Sequence, residues 1–135
     1  MKSYFYIPIL FLSLVFCDKE RTLTDGCDLP ESSTTSYLHL TADGSVLYKT
    51  LGAIGGFQFD VDGATITNGS GGDMAANGLI GQAAGSTFIS FSFTGGSIPA
   101  GCGTLVNLSL SGDATGLSNI IVSDQNAGSL YFEYY

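Results

Sequence analysis

The sequence predicts an all-β protein, a two-sheet antiparallel β-sandwich with one short helical turn. Three observations carry that expectation. In Phe57-Gln58-Phe59-Asp60-Val61-Asp62, large apolar residues alternate with polar ones, which puts the two kinds of side chain on opposite faces of a strand. The same kind of alternation returns at Phe88-Ile89-Ser90-Phe91-Ser92-Phe93 and at Val106-Asn107-Leu108-Ser109-Leu110. The 135 residues also include 19 glycines, and no comparable stretch after the N-terminal leader has helical spacing. That glycine content fits many tight turns rather than long helices.

The elements follow in order. Residues 1–17 read as a secretory signal peptide: a positive start at Met1-Lys2, an apolar run from Ile7 to Phe16, then charges at once from Asp18. The run falls short of the ~20 apolar residues of a membrane span. Cys17 closes the leader. Cleavage after it yields a soluble chain, and lipidation of Cys17 would instead anchor the protein to a membrane. Residues 18–35 carry acids, Ser, Thr and one Pro with little periodicity, and read as a tether. Strands are expected at 36–40, 45–50, 56–61, 64–67, 87–94, 104–110, 119–123 and 129–135, the domain spanning 36–135. Turn signals separate them, among them Asp62-Gly63, Gly95-Gly96 and Ser111-Gly112-Asp113. The segment Gly72-Asp73-Met74-Ala75-Ala76-Asn77-Gly78 suits a single helical turn, with a cap-like Asp and a closing Asn-Gly.

Charge narrows the class of partner. The chain carries four Lys and Arg against 12 Asp and Glu, a net charge of −8. Without residues 1–17 it keeps Lys19, Arg21 and Lys49, and the balance becomes −9. Such a polyanion does not neutralise nucleic-acid phosphates or cling to anionic lipid. Two cysteines remain after the leader, Cys27 and Cys102. An even pair in an exported chain predicts one disulfide.

Several stretches together resemble the cohesin-like modules of secreted bacterial proteins, within the carbohydrate-binding-module-like β-sandwiches. They are "IGGFQFDVDGATI" (54–66), "GGDMAANGL" (71–79), "ISFSFTGGSIPAGCGTLVNLSLSGD" (89–113) and "LSNIIVSD" (117–124). The resemblance spans roughly residues 36 to 135. It implies a jelly-roll sandwich and an extracellular, dockerin-like protein partner held on one sheet face. The chain is shorter than a typical scaffold cohesin, and no dockerin-contacting residue carries over to a numbered position.

The residues themselves offer little chemistry. His39 is the single histidine, and neither a G-x-S-x-G elbow nor zinc-ligand spacing nor a phosphate loop occurs. Asp60 and Asp62 share a strand face about 7 Å apart, a range open to glycosidase pairs, yet neither has a sequence reason to be buried. The expectation is therefore a non-catalytic protein. Calcium is the cofactor to test, with Asp60, Asp62 and Asp73 as its ligands near strand ends. Ser90, Ser92 and Asn107, small and polar, are candidates for a face that packs against a protein. Tyr131 and Tyr135 share one side of the last strand and are candidate platforms for a polysaccharide. The reading is an exported module, secreted or at the cell surface, for docking or adhesion. Carbohydrate binding is the alternative.

Overall fold

The computed structural model describes residues 23–135. The predicted leader with Cys17, and residues 18–22 of the predicted tether, lie outside the described residues. Eight strands and one helical turn follow in the order β1 (Ser36–Leu40), β2 (Ser45–Thr50), β3 (Gly56–Ser70), α1 (Gly72–Ala76), β4 (Ile80–Ala84), β5 (Thr87–Phe91), β6 (Gly101–Ser123), β7 (Ser129–Leu130) and β8 (Phe132–Tyr134).

The strands hydrogen-bond in the order β4-β5-β3-β6-β2-β1-β8, with β7 beside the end of β6. Two of them are long enough to serve both layers. The first half of β3 pairs with β5, and all of β3 pairs with the latter part of β6. The first part of β6, from Gly101 to Asn107, pairs with β2. The sheet thereby curls over on itself, and its two ends face each other as the layers of a sandwich. Phe57, Phe59, Phe88 and Val122 of one layer join Leu38, Val46, Tyr48 and Val106 of the other in a single buried cluster. Full burial of such a side chain contributes about 1.5–3 kcal/mol.

Phe88 occupies the middle of this core. Its ring lies 5.8 Å from that of Phe59 and 6.1 Å from that of Phe57. Two glycines make the space it fills. A Cβ on Gly69 or Gly81 would come within 2.3 Å or 2.2 Å of the Phe88 ring, so neither position accepts even alanine without displacing it. Helix α1 covers one end of the core with Met74. The Tyr48 hydroxyl holds the helix there by donating to Asp73 Oδ2 at 2.6 Å.

The observed elements correct the expected ones in six places. Residues 56–61 and 64–67 belong to one strand, as do 104–110 and 119–123. Asp62-Gly63 and Ser111-Gly112-Asp113 are not chain reversals. They lie opposite each other in the β3–β6 ladder, where register shifts absorb the extra residues. Gly63 has φ +88° and Gly112 φ +121°, so glycine here serves bulges within long strands. The strand β4 lies where no element is expected. The run expected at 87–94 ends as a strand at Phe91, and 129–135 divides into β7 and β8. Finally, β8 runs parallel to β1, with Tyr37 opposite Glu133, so the sheet is not wholly antiparallel.

The predicted tether is, from residue 23, part of the folded body. Asp25 caps a short 3-10 turn, Gly26–Asp28, through the Cys27 amide. Cys27 is disulfide-bonded to Cys102 with 4.9 Å between Cα atoms, as the cysteine count predicts. Lys49 Nζ donates to the carbonyls of Cys27 and Leu29 and pairs with Glu31 at 2.7 Å. Leu29 and Leu47 are both buried, yet neither belongs to the main core. Leu47 and Lys49 point outward from β2, opposite Val46 and Tyr48. The segment therefore straps the outer face of the β2–β6 layer, and among the described residues the outer face of the other layer has no such cover.

Candidate functional site: a bare apolar sheet face

The uncovered face is built from β4, β5, the first half of β3 and the last part of β6. Its composition follows from the register. Phe57 lies opposite Ser90 and Phe59 opposite Phe88. Directly opposed residues share a face, so the buried Phe57 and Phe59 carry Phe88 and Ser90 inward with them. Ile89 and Phe91 must then point out, although they are the larger and more apolar set together with Phe93. Ile89 and Phe91 are exposed, and Phe93 is 80% exposed.

Neighbouring strands extend the patch. Ile89 lies opposite both Gln58 and Gln82, and Gln58 lies opposite Ile121. One row across the sheet thus reads Gln82, Ile89, Gln58, Ile121. The next row begins with Ile80 opposite Phe91. Ile80 is exposed and Ile121 is 60% exposed. Phe91 and Phe93 meet edge to face, with ring centroids 5.0 Å apart. Between Phe91 and Ile121 the surface drops into a groove of about 370 Å³. Its floor is open because β3 contributes Gly56 there, opposite Ser123.

One end of this face is polar and ordered. Asp60 and Asp62 point outward beyond Gln58. Asp60 Oδ1 accepts from Thr87 Oγ1 at 2.6 Å, and Oδ2 accepts from Asn119 Nδ2 at 2.8 Å. These bonds, that from Asn119 foremost, hold the Asp60 carboxyl below its ordinary range. Asn119 sits at φ +50° within a register shift of the β3–β6 ladder, a bulge that aims its amide at Asp60. Asp62 Oδ1 accepts from Ser118 Oγ at 2.7 Å. Asp124 lines the opposite end of the groove.

The predicted site residues fall elsewhere or apart. Ser90 is 2% exposed, and its Oγ has no hydrogen-bond partner. It cannot present a docking surface, because β5 has the opposite phase to that expected. Ser92 lies beyond β5, where its Oγ accepts from the Thr94 and Gly96 amides. Asn107 lies on β6, where its Oδ1 accepts from Ser45 Oγ at 2.9 Å. The three do not form one surface. Among the described residues, no three His, Cys, Asp or Glu side chains converge to hold a metal ion. The calcium set is not assembled, because Asp73 on α1 is bound to Tyr48 while Asp60 and Asp62 lie on β3.

Tyr131 and Tyr135 are 62% and 53% exposed. Tyr131 donates to Glu133, and Tyr135 meets Tyr37 edge to face at 5.9 Å. The 74° between those rings makes a corner rather than a flat shelf. His39 stacks on Tyr134, and its Nδ1 lies 2.8 Å from the Tyr135 carbonyl, so it serves the β1–β8 edge.

Sequence reasoning missed Ile80, Ile89, Phe91, Phe93 and Ile121. The signal was available. Phe88-Ile89 and Ile120-Ile121-Val122 place large apolar residues at adjacent positions, hence on both faces of their strands.

Neither a protein-family model nor a curated protein matches the sequence. Among solved structures the fold is similar to that of a non-cellulosomal cohesin from the hyperthermophilic archaeon Archaeoglobus fulgidus. The TM-score is 0.47 at 14% identity, over 76% of this chain and 86% of that one. A likeness of this degree assigns no partner and no binding surface.

Proposed function

We propose that this protein is an exported, non-catalytic docking module that binds another protein on the outer face of β4, β5, β3 and β6. The observation that carries the reading is the exposure of Ile80, Ile89, Phe91, Phe93 and Ile121 together on one sheet face. Scattered apolar residues need no explanation, but a contiguous set around a groove marks an interaction surface. The inverted phase of β5 strengthens it. A buried serine between an exposed isoleucine and an exposed phenylalanine on one strand violates the patterning that stability favours, and such violations concentrate where function demands them. The disulfide supports an oxidising compartment, in keeping with residues 1–17 as an export signal.

The test is capture from the source's secreted proteins by the intact chain, beside the double variant Phe93→Ser, Ile121→Ser. Both residues are largely exposed, so the variant keeps its fold. Binding of a defined protein by the parent and not by the variant is the expected result. Equal capture by both removes the reading.

Polysaccharide binding at Tyr131 and Tyr135 is the second reading, favoured by the exposure of both rings. It predicts retention on a polysaccharide that is lost in Tyr131→Ala and kept in the Phe93→Ser, Ile121→Ser variant.

A further inference from the structure

We infer that the partner of the bare sheet face is a protein surface with an apolar anchor flanked by lysine or arginine. The inference rests on the docking reading above and concerns what can occupy that face. Strands β4 and β5 and residues 116–123 of β6 contribute no charged side chain to it. The charges at its borders are Asp60 and Asp62 on β3 at one end and Asp124 at the other. Among the described residues no lysine or arginine answers them from the same surface. Lys49 is the one lysine or arginine in residues 23–135, against ten acids, and it is tied to Glu31 under the strap.

This asymmetry selects among occupants. A second copy brings the same excess of acid toward carboxylates that are already unopposed, and like charges across an interface cost affinity. Nucleic acid and anionic lipid are repelled for the same reason. A basic protein is attracted over a distance and then seated by apolar contact.

The carboxylate nearest the patch is also prepared for such a neighbour. Asp60 lies two residues from Gln58 on the same outward face, about 7 Å along the strand. Each of its oxygens accepts one bond, from Thr87 and from Asn119, and keeps a lone pair for an incoming donor. A planar guanidinium can meet both oxygens at once. Thr87 and Asn119 act here as positioning residues.

The experiment pans a displayed library of random-sequence peptides against the intact protein. The peptides recovered are then made synthetically and measured for binding. The expected peptides combine an aromatic or aliphatic residue with Lys or Arg. Their affinity falls with added salt, and it falls about fivefold in Asp60→Asn, Asp62→Asn, mostly through slower association, as expected of charges at a rim. Peptides that need Phe93 and Ile121 but are neutral or acidic, and ignore both salt and the aspartate variant, overturn this inference and leave the docking reading standing. Failure to recover any peptide sensitive to Phe93→Ser, Ile121→Ser overturns both. Sedimentation of the protein alone should show a monomer. A dimer abolished by Phe93→Ser, Ile121→Ser would assign the face to a second copy and overturn the basic partner.

Discussion

Replacing Ser90 by alanine should make this protein more stable. Ser90 sits on β5 with Phe57 opposite it on one side and Gly81 on the other. Its side chain faces the core at 2% exposure, and its hydroxyl lacks a hydrogen-bond partner. An unsatisfied buried hydroxyl costs about 1–3 kcal/mol. Alanine keeps the Cβ and removes only the oxygen, so the packing lost is small. The net expectation is a gain of about 1 kcal/mol, which for a domain of this size raises the melting temperature by about 3–5 °C. Urea unfolding should show a higher midpoint with an unchanged slope. Ser92→Ala provides the contrast two residues away. That hydroxyl accepts from two backbone amides, and its removal should cost about 0.5–1.5 kcal/mol. If Ser90→Ala proves as destabilising as Ser92→Ala, the hydroxyl is satisfied, for instance by a buried water, and the account of β5 is wrong.

Two further predictions concern the covered layer. The disulfide closes a loop with a sequence separation of 75, for which the chain-entropy model gives up to about 4.5 kcal/mol. Cys27→Ser, Cys102→Ser should approach that loss in chemical unfolding and speed hydrogen exchange around Leu29; a loss under about 1 kcal/mol would contradict the entropic view. Tyr48→Phe should cost about 1–2 kcal/mol by freeing α1 from β2. Burial, and then the bond to Asp73, push the Tyr48 hydroxyl well above its ordinary value of 10.0. The unfolded tyrosine thus ionises first. The stabilisation is complete below that ordinary value and is lost as pH rises beyond it, so Tyr48→Phe should flatten the alkaline part of the stability profile. An unchanged alkaline slope would show that Tyr48 does not carry it.

Alternation made much of the architecture legible. Strands β1 and β2 begin and end where the sequence places them, and Asn77 closes α1, although its N-cap is Gly71 and the cap-like Asp73 accepts from Tyr48 instead. The disulfide was readable because an even pair of cysteines after the leader has one pairing. Local patterning could not tell a turn from a bulge, since Gly63 and Gly112 supply the same positive φ to either. Only the partner strand shows that the chain continues.

The candidate site was illegible for a related reason. A strand with apolar residues at adjacent positions has two admissible faces, and period two does not choose between them. By itself the sequence determined that the chain forms twisted strands around a core, cross-linked once, beneath an acidic surface. The tertiary structure decided which side of β5 meets that core. It did so because Phe88, and not Ile89 or Phe91, fits the space between Phe57 and Phe59 that Gly69 and Gly81 leave open. One ring in a close-packed interior outweighed the larger apolar set, and the residues it displaced became the exposed face.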